Sequence, residues 1–388
     1  MPNQRIHSLF LSAWYPNRDD AMSGLFVRKH ADAVSRFCKV TVLYVHADAR
    51  ITKREVRFEN YNAVHEVYVY YPAGKGIVRL FWKPLQFIAA YLVGIRKVFS
   101  RYGRPHIVHV NVLTRTALPA LYLKLTRGIP YVITEHWSRY LPSRNSFHGW
   151  LRKWCTRKVV NHSSALMPVS TSLSEAMGQH KIRNKNTVIL NNVVDDFFFE
   201  SIQSKSDSTN LKHILHISCF DDEPKNISGM LRVFARLCDE RSDFRLTLAG
   251  TGKDFDKIKS LADSLSISSK LDFTGELSPV EIAQLLHAAD FTVLFSNNEN
   301  APVVISESLA CGKPVVATRV GGIPEMVDDS NGLLVDAGDE PALRKALHTM
   351  LDSFENYPSS IIQERAREKY SYASVGETLF NIYKNVLS

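Results

Sequence analysis

Acidic side chains are nearly missing from one long stretch of this chain. Between Glu66 and Glu175 the sole carboxylate is Glu135, while the same stretch holds sixteen Lys or Arg, from Lys75 to Lys158. That stretch carries 16 − 1 = +15, and with a formal net charge of +9 overall the rest carries 9 − 15 = −6. A basic half joined to an acidic half points to an anionic partner for the first half. Cysteine is scarce as well. Cys38, Cys155, Cys219, Cys238 and Cys311 are scattered, odd in number and free of C-x-x-C spacing. A disulfide framework or a zinc site is thereby excluded, and a reducing compartment is expected. Glycine and proline, at 18 and 16 residues, are too few for a fibrous or low-complexity chain. Long apolar runs are lacking too. Leu9 to Tyr15 is short and has neither a basic flank nor a cleavage site, so it reads as a first core strand and not as a signal peptide. Gly76 to Phe99 is apolar and aromatic, but Arg79, Lys83, Pro84, Arg96 and Lys97 interrupt it, leaving too little to span a bilayer.

What is present is a rhythm. The chain has 388 residues, 45% of them hydrophobic, enough for two domains with proper cores. Short apolar runs alternate with amphipathic stretches. Strands are expected at Ile6–Ser12, Val40–Tyr44, Ile107–Asn111, Tyr131–Thr134 and Ala165–Val169, and again at His213–Ile217, Arg245–Ala249, Leu271–Thr274, Phe291–Phe295 and Pro314–Thr318. This alternation predicts an α/β protein with two parallel sheets covered by helices. The N-terminal domain is expected over residues 1–195 and the C-terminal domain over 211–368, with a linker at 196–210 that is Ser- and Asn-rich from Ser204 to Asn210. Ile361 to Leu387 reads as helical, and a helix at about 369–388 is expected to cross back to the first domain. Ligands in such sheets bind beyond the carboxyl ends of the strands, so the site is expected in a cleft that the two domains face.

The densest chemistry lies between two strands of the second half. Asn297-Asn298-Glu299-Asn300-Ala301-Pro302 follows an apolar strand, then Val303 to Cys311 read as a helix stopped by Gly312. Pro302 suits a first helical turn, where its missing N–H costs nothing, and glycine suits a helix end. The N–H groups of Asn300, Ala301 and Val303 at such a helix start would favour a phosphate. Glu299 and Glu307 are 307 − 299 = 8 positions apart. On one helix that is roughly 12 Å and about 80° around the axis. The pair is set to bracket a sugar diphosphate and ribose, and is too wide for a glycosidase pair, which needs roughly 5 to 9.5 Å.

Glu299-x7-Glu307, then Ala310-Cys311-Gly312-Lys313-Pro314-Val315-Val316-Ala317-Thr318, Gly321-Gly322-Ile323-Pro324-Glu325 and Asn331-Gly332-Leu333-Leu334-Val335, stand in linked order. This series resembles the retaining GT-B glycosyltransferases of family 4, of the bacterial surface-polysaccharide type. The resemblance implies two Rossmann-like domains and a nucleoside diphosphate sugar, UDP- or GDP-linked, as donor substrate, without a metal or other cofactor. It implies that Glu299 lies against the donor sugar, that Glu307 holds ribose hydroxyls and that Lys225 binds the diphosphate. The arginine it implies shortly before Lys225 is missing, because Ser218 to Pro224 carries Asp221, Asp222 and Glu223 instead. Gly24, opening Gly24-Leu25-Phe26-Val27-Arg28-Lys29-His30, resembles the family's glycine loop near phosphate and acceptor. Thr134-Glu135-His136 resembles its catalytic loop, with His136 beside the donor sugar and acceptor. A front-face route, in which the leaving phosphate takes the acceptor's proton, is what the resemblance implies.

Gly250 and Gly252 after a strand are a weak phosphate-loop signal placed at the same edge, and Gly275 to Leu277 is expected to face the base. Asp254-Phe255-Asp256 has a metal-binding D-x-D form but stands where a helix should begin, so it reads as capping. Asn192 reads as a hinge residue. Arg79, Lys83, Arg96, Lys97, Arg152 and Lys153, set among aromatics, read as an acceptor or membrane surface. The expected activity is transfer of a sugar to a saccharide or lipid-linked saccharide acceptor, on the inner face of the cell membrane. Two other readings compete. A sugar-nucleotide epimerase would bind the same donor without an acceptor, and a basic nucleic-acid- or membrane-binding protein would leave the second domain unexplained.

Overall fold

The computed structural model describes residues 5–73, 78–113, 115–142, 144, 146–200 and 211–388, with the backbone alone described for 78–83. The chain divides into two compact units, one comprising residues 1–193 and 372–388, the other 194–371.

Unit 1 runs β1 (His7–Ser12), α1 (Leu25–Ser35), β2 (Lys39–Asp48), β3 (Glu55–Tyr61), β4 (Val64–Pro72), α2 (Val78–Tyr102), β5 (Ile107–Asn111), α3 (Ala117–Arg127), β6 (Tyr131–Glu135), α4 (Trp150–His162), β7 (Ala165–Pro168) and α5 (Thr171–Gln179). Its seven strands lie in the order β3-β4-β2-β1-β5-β6-β7. β1, β5, β6 and β7 are buried along their whole lengths, as parallel strands covered on both faces must be. The strand order reverses between β1 and β5, both parallel to each other. Only β3 runs antiparallel, joined to β4 by a turn in which Asn62 takes φ 50°. The sequence reading passed over both strands of this hairpin, the edge strand β3, with Arg57, Glu59 and Asn60 exposed, and the buried β4.

Unit 2 runs β8 (Lys212–Ile217), α6 (Asp222–Lys225), α7 (Ile227–Glu240), β9 (Phe244–Ala249), α8 (Phe255–Ser264), β10 (Leu271–Gly275), α9 (Pro279–Ala288), β11 (Phe291–Leu294), α10 (Val303–Ala310), β12 (Val315–Thr318), β13 (Gly332–Val335), α11 (Glu340–Ser353) and α12 (Ser359–Tyr370). The six strands form an all-parallel sheet, β10-β9-β8-β11-β12-β13, whose order reverses between β8 and β11. Phe234, Phe244, Phe291 and Phe295 fill its core without solvent exposure. Asp196–Phe199, expected as linker, instead forms a short 3-10 helix whose Phe198 and Phe199 are buried in this unit; residues 201–210, with Ser204 to Asn210, lie outside the described residues.

The expected single helix from Ile361 to Leu387 is two. Ser371 is extended (φ −67°, ψ 155°), so α12 ends there and α13 (Tyr372–Leu387) belongs to unit 1. α13 packs on α1, and a Cβ on its Gly376 would lie 2.3 Å from the Ala33 carbonyl oxygen. Only glycine permits that approach. Buried Tyr372, Val375, Leu379 and Tyr383 complete the unit 1 core.

Candidate active site

In unit 2 the loops after β8 and β11 flank the point where strand order reverses, the usual ligand position in an open parallel sheet. The two loops are laced together. The Pro224 carbonyl accepts from the N–H groups of Asn297 (2.8 Å) and Asn298 (3.2 Å), and the Asn297 side chain donates to the Glu223 carbonyl at 2.9 Å. This lacing brings together two residues singled out from the sequence. Lys225 Nζ donates to Glu299 Oε1 at 2.6 Å, and Ser296 Oγ donates to the same oxygen at 2.8 Å. The Lys225 and Glu299 side chains are 17% and 9% exposed, so the pair is shielded but reachable.

Below it, fully buried His216 bonds Ser218 Oγ (2.8 Å) and the Val293 carbonyl (2.9 Å). Burial, helped by the nearby Lys225 charge and opposed by the Val293 bond, brings its pKa down to about 4, so the ring is neutral near pH 7. Sequence reasoning missed His216 and Ser296. The only signal for His216 was a polar residue inside an apolar strand.

The backbone of Glu299 and Asn300 is fixed from behind. Gly321 (φ 53°) sits so close that a Cβ would lie 1.9 Å from the Glu299 carbonyl oxygen, and Gly322 N–H donates to the Asn300 carbonyl at 2.7 Å. The Gly-Gly motif therefore shapes the loop that presents Glu299, a role the sequence reading had left unassigned. Helix α10 then begins at Val303, with Pro302 as the extended N-cap and not in the first turn. The helical spacing of Glu299 and Glu307 accordingly fails: Glu299 precedes the helix, and only half-buried Glu307 is on it. Asn300 and Ala301 lie in the loop, and Val303 supplies the first helical N–H. Gly312 closes the helix at φ 70°, as expected.

Gly250 and Gly252 answer first to packing. A Cβ on Gly250 (φ 127°) would lie 2.0 Å from the Ser218 carbonyl oxygen, and one on Gly252 would lie 2.7 Å from the Phe220 backbone. Gly275 (φ 72°) has open space at its Cβ position, and Leu277 packs against the core. Asp254 caps, but not its own helix: its carboxylate accepts from the Asp222 N–H at 2.9 Å, steadying the short turn that carries Lys225. The acids that replace the missing arginine are partly engaged, Asp221 with Lys253 at 2.8 Å. Among the described residues no cluster of three or more His, Cys, Asp or Glu is arranged for a metal.

In unit 1 the structure brings the Gly24 segment to the His136 loop. The His136 imidazole is enclosed, 4.3 Å from the Phe26 ring and 5.4 Å from the His30 ring by centroid, both on α1. Gly24 (φ 63°) begins α1, and its Cβ position lies 2.2 Å from the Trp14 carbonyl oxygen, so this glycine too is dictated by a close backbone contact. Burial, reinforced by the neighbouring His30 and His109, holds the His136 pKa well below the usual histidine range. Neutral imidazole can donate from one nitrogen and accept at the other, which suits it to orient a hydroxyl.

Beneath it Glu135 is completely buried. Its Oε1 accepts from the N–H groups of His136 (2.9 Å) and Trp137 (2.8 Å), and its Oε2 from Leu113 N–H (2.8 Å). Burial pushes its pKa up to about 7 against those three bonds and the Arg139 charge. Glu135 thus ties the His136 loop to the end of β5. From the sequence it was legible as a lone acid in a basic stretch and as the middle residue of Thr134-Glu135-His136, with no role of its own.

The basic residues divide. Arg96, Lys97 and Arg152 are exposed and Lys153 is half-exposed, while the side chains of Arg79 and Lys83 lie outside the described residues. α2 also exposes Leu85, Ile88 and Leu92. Among the described residues no helix is long and apolar enough to cross a membrane.

Two α/β units, one sheet all parallel and the other parallel but for β3, each with polar loops at the carboxyl ends of its strands, define the GT-B class. The pattern described as Glycosyl transferases group 1 matches residues 198–368, and that described as Glycosyl transferase 4-like domain matches 27–192. The two patterns together span most of the chain, which belongs to the GT-B glycosyltransferases of family 4. It is similar to the N-acetyl-alpha-D-glucosaminyl L-malate synthase of Bacillus anthracis, 29% identical over 58% of this chain and 60% of that protein. It is also 27% identical to the glycogen synthase of Mycobacterium tuberculosis, over 69% of this chain and 64% of the other. These matches span a little under two thirds of each relative's length. Among solved structures, sucrose-phosphate synthase from Thermosynechococcus elongatus has a TM-score of 0.75 at 16% identity, covering 98% of this chain and 99% of that one. Anabaena HepE in complex with UDP has a TM-score of 0.74 at 16% identity, over 98% and 100% of the two chains.

Proposed function

We propose that this enzyme transfers a sugar, with retention of anomeric configuration, from a nucleoside diphosphate sugar to a hydroxyl of a saccharide or lipid-linked saccharide, as in surface-polysaccharide synthesis, while lying on an anionic membrane surface on the cytoplasmic side. The Lys225–Glu299 pair beside the α10 start carries the donor reading. As the bond from the anomeric carbon to the diphosphate oxygen breaks, negative charge collects on the leaving phosphate. Lys225 and the Val303 N–H are the groups to stabilise it. Glu299, released from Lys225, accepts hydrogen bonds from donor-sugar hydroxyls, and Glu307 holds the ribose. The new bond forms from the acceptor oxygen to the anomeric carbon on the same face, and the acceptor's proton passes to the leaving phosphate oxygen. His136, neutral and held by Glu135, orients the reacting hydroxyl. Exposed Leu85, Ile88 and Leu92 beside Arg96 and Lys97 on α2 support the membrane reading.

The test is calorimetric titration with UDP, GDP and ADP, without and with Mg²⁺, on the wild type and on Glu307→Ala. UDP comes first because a HepE neighbour was solved with it. One nucleotide is expected to bind, and about tenfold or more weaker to the variant. If none binds the wild type, the donor assignment falls.

A further inference from the structure

Between α3 and α4 in unit 1 lies a pocket of about 360 Å³, outside the groups assigned above to the donor. Arg115, Arg139 and Arg152 line it together with Leu118, Trp137 and Val159, and no carboxylate lines it. None of the three arginines makes an ion pair among the described residues. Arg139 lies with its guanidinium 2.9 Å from the centroid of the Trp137 ring. Glu135, the acid whose charge acts on it, is buried and already accepts from three backbone N–H groups. Three uncompensated cations at one small cavity repel one another, and a bound phosphate removes that repulsion.

The rim is apolar. On α3, Leu118, Tyr122 and Leu125 are 50%, 46% and 70% exposed, and their spacing puts them on one helical face. On α4, Trp150, Leu151 and Trp154 are 79%, 55% and 53% exposed. Exposed tryptophans beside arginines are the pattern of a surface that meets the lipid headgroup layer.

We propose that this pocket binds the phosphate of a lipid headgroup, with the α3 and α4 apolar residues against the acyl or prenyl chain. Trp137, next in sequence to His136, forms one wall, so a lipid phosphate held there lies beside the loop that carries His136. The inference deepens the membrane reading above and rests on it for its biological setting, but not for its test.

The experiment titrates the full chain with monomeric dihexanoyl phosphatidic acid, with inorganic phosphate, and with phosphatidylcholine vesicles with and without phosphatidylglycerol. Arg115→Glu/Arg152→Glu is compared with Arg96→Glu/Lys97→Glu, and an unchanged circular-dichroism spectrum and thermal unfolding profile report that unit 1 of each variant is folded. The pocket pair is expected to weaken dihexanoyl phosphatidic acid about tenfold or more, and the α2 pair to leave it unchanged. Equal affinity in the pocket pair overturns the site. So does competition by inorganic phosphate at the lipid's own concentrations, which would mark a simple anion site. Short-chain lipid binding without vesicle binding upholds the pocket and removes the membrane reading. Vesicle binding without short-chain lipid binding does the reverse.

Discussion

In unit 2 the ionic groups of the site are paired with each other near the surface, whereas in unit 1 the carboxylate is sealed beneath it and the half-buried His136 is held neutral. Lys225 and Glu299 retain some exposure and face opposite charge. Glu135 has no exposure, His136 is held neutral, and the buried Nδ1 and Nε2 of His109 bond Tyr383 and Thr134, each at 2.6 Å. A paired surface site can exchange its internal partner for a ligand's charge. A sealed one can only present fixed dipoles. The difference matches the proposed roles, anion binding for the first and orientation for the second.

The largest effect that would sharpen this contrast is in unit 1. His136→Ala should lower turnover about 100-fold or more with UDP affinity unchanged. A matching loss of UDP affinity, read by calorimetry, would erase the distinction.

Glu135 comes next. Its folded pKa of about 7 stands above the ordinary 4.5, so the folded state keeps a proton that the unfolded chain has released. Its stabilising contribution is full below about pH 4.5 and is lost as pH rises through about 7, amounting to about 3 kcal/mol. Glu135→Gln cannot titrate. Denaturant unfolding at pH 5 and pH 8 should show the wild type losing stability relative to the variant by that order across the window. A constant difference would mean that Glu135 stays ionised throughout.

In unit 2, Lys225→Ala should weaken UDP about 10- to 100-fold while leaving the pH dependence of stability in place. Unchanged affinity would show that the diphosphate is held elsewhere, with Lys253 the next cation to remove. The smallest effect belongs to Asp254→Ala, which strips the cap from Asp222 N–H and should cost about 1 kcal/mol, visible as a lower midpoint of urea unfolding.

Every expected strand was found to within a few residues, because buried parallel strands are continuous apolar runs bounded by turns. β13 was seen only as part of a motif, since four residues carry little periodicity. The residues proposed to hold the donor were legible because their motifs are local, and even the close approach of Gly321 to Glu299 had its signature in a Gly-Gly pair. Their geometry was not: Pro302 caps the helix, so helical spacing could not be extended back to Glu299. The support that Glu135 gives the loop, the place of His216, and the convergence of Arg115 and Arg139 with Arg152, itself singled out only as a surface residue, were illegible for a different reason. Each acts across loops or helices that meet only in three dimensions, and no spacing along the chain encodes that meeting.

The return of α13 to unit 1 has a consequence for biosynthesis. Unit 2 is one continuous segment, so a ribosome delivers it whole. Unit 1 is split around it, and its core lacks Val375, Leu379 and Tyr383 until all of unit 2 has been made. His109, deep in the sheet, waits as long for the Tyr383 hydroxyl. Unit 1 of the nascent protein therefore matures after unit 2, although its first strand is synthesised long before.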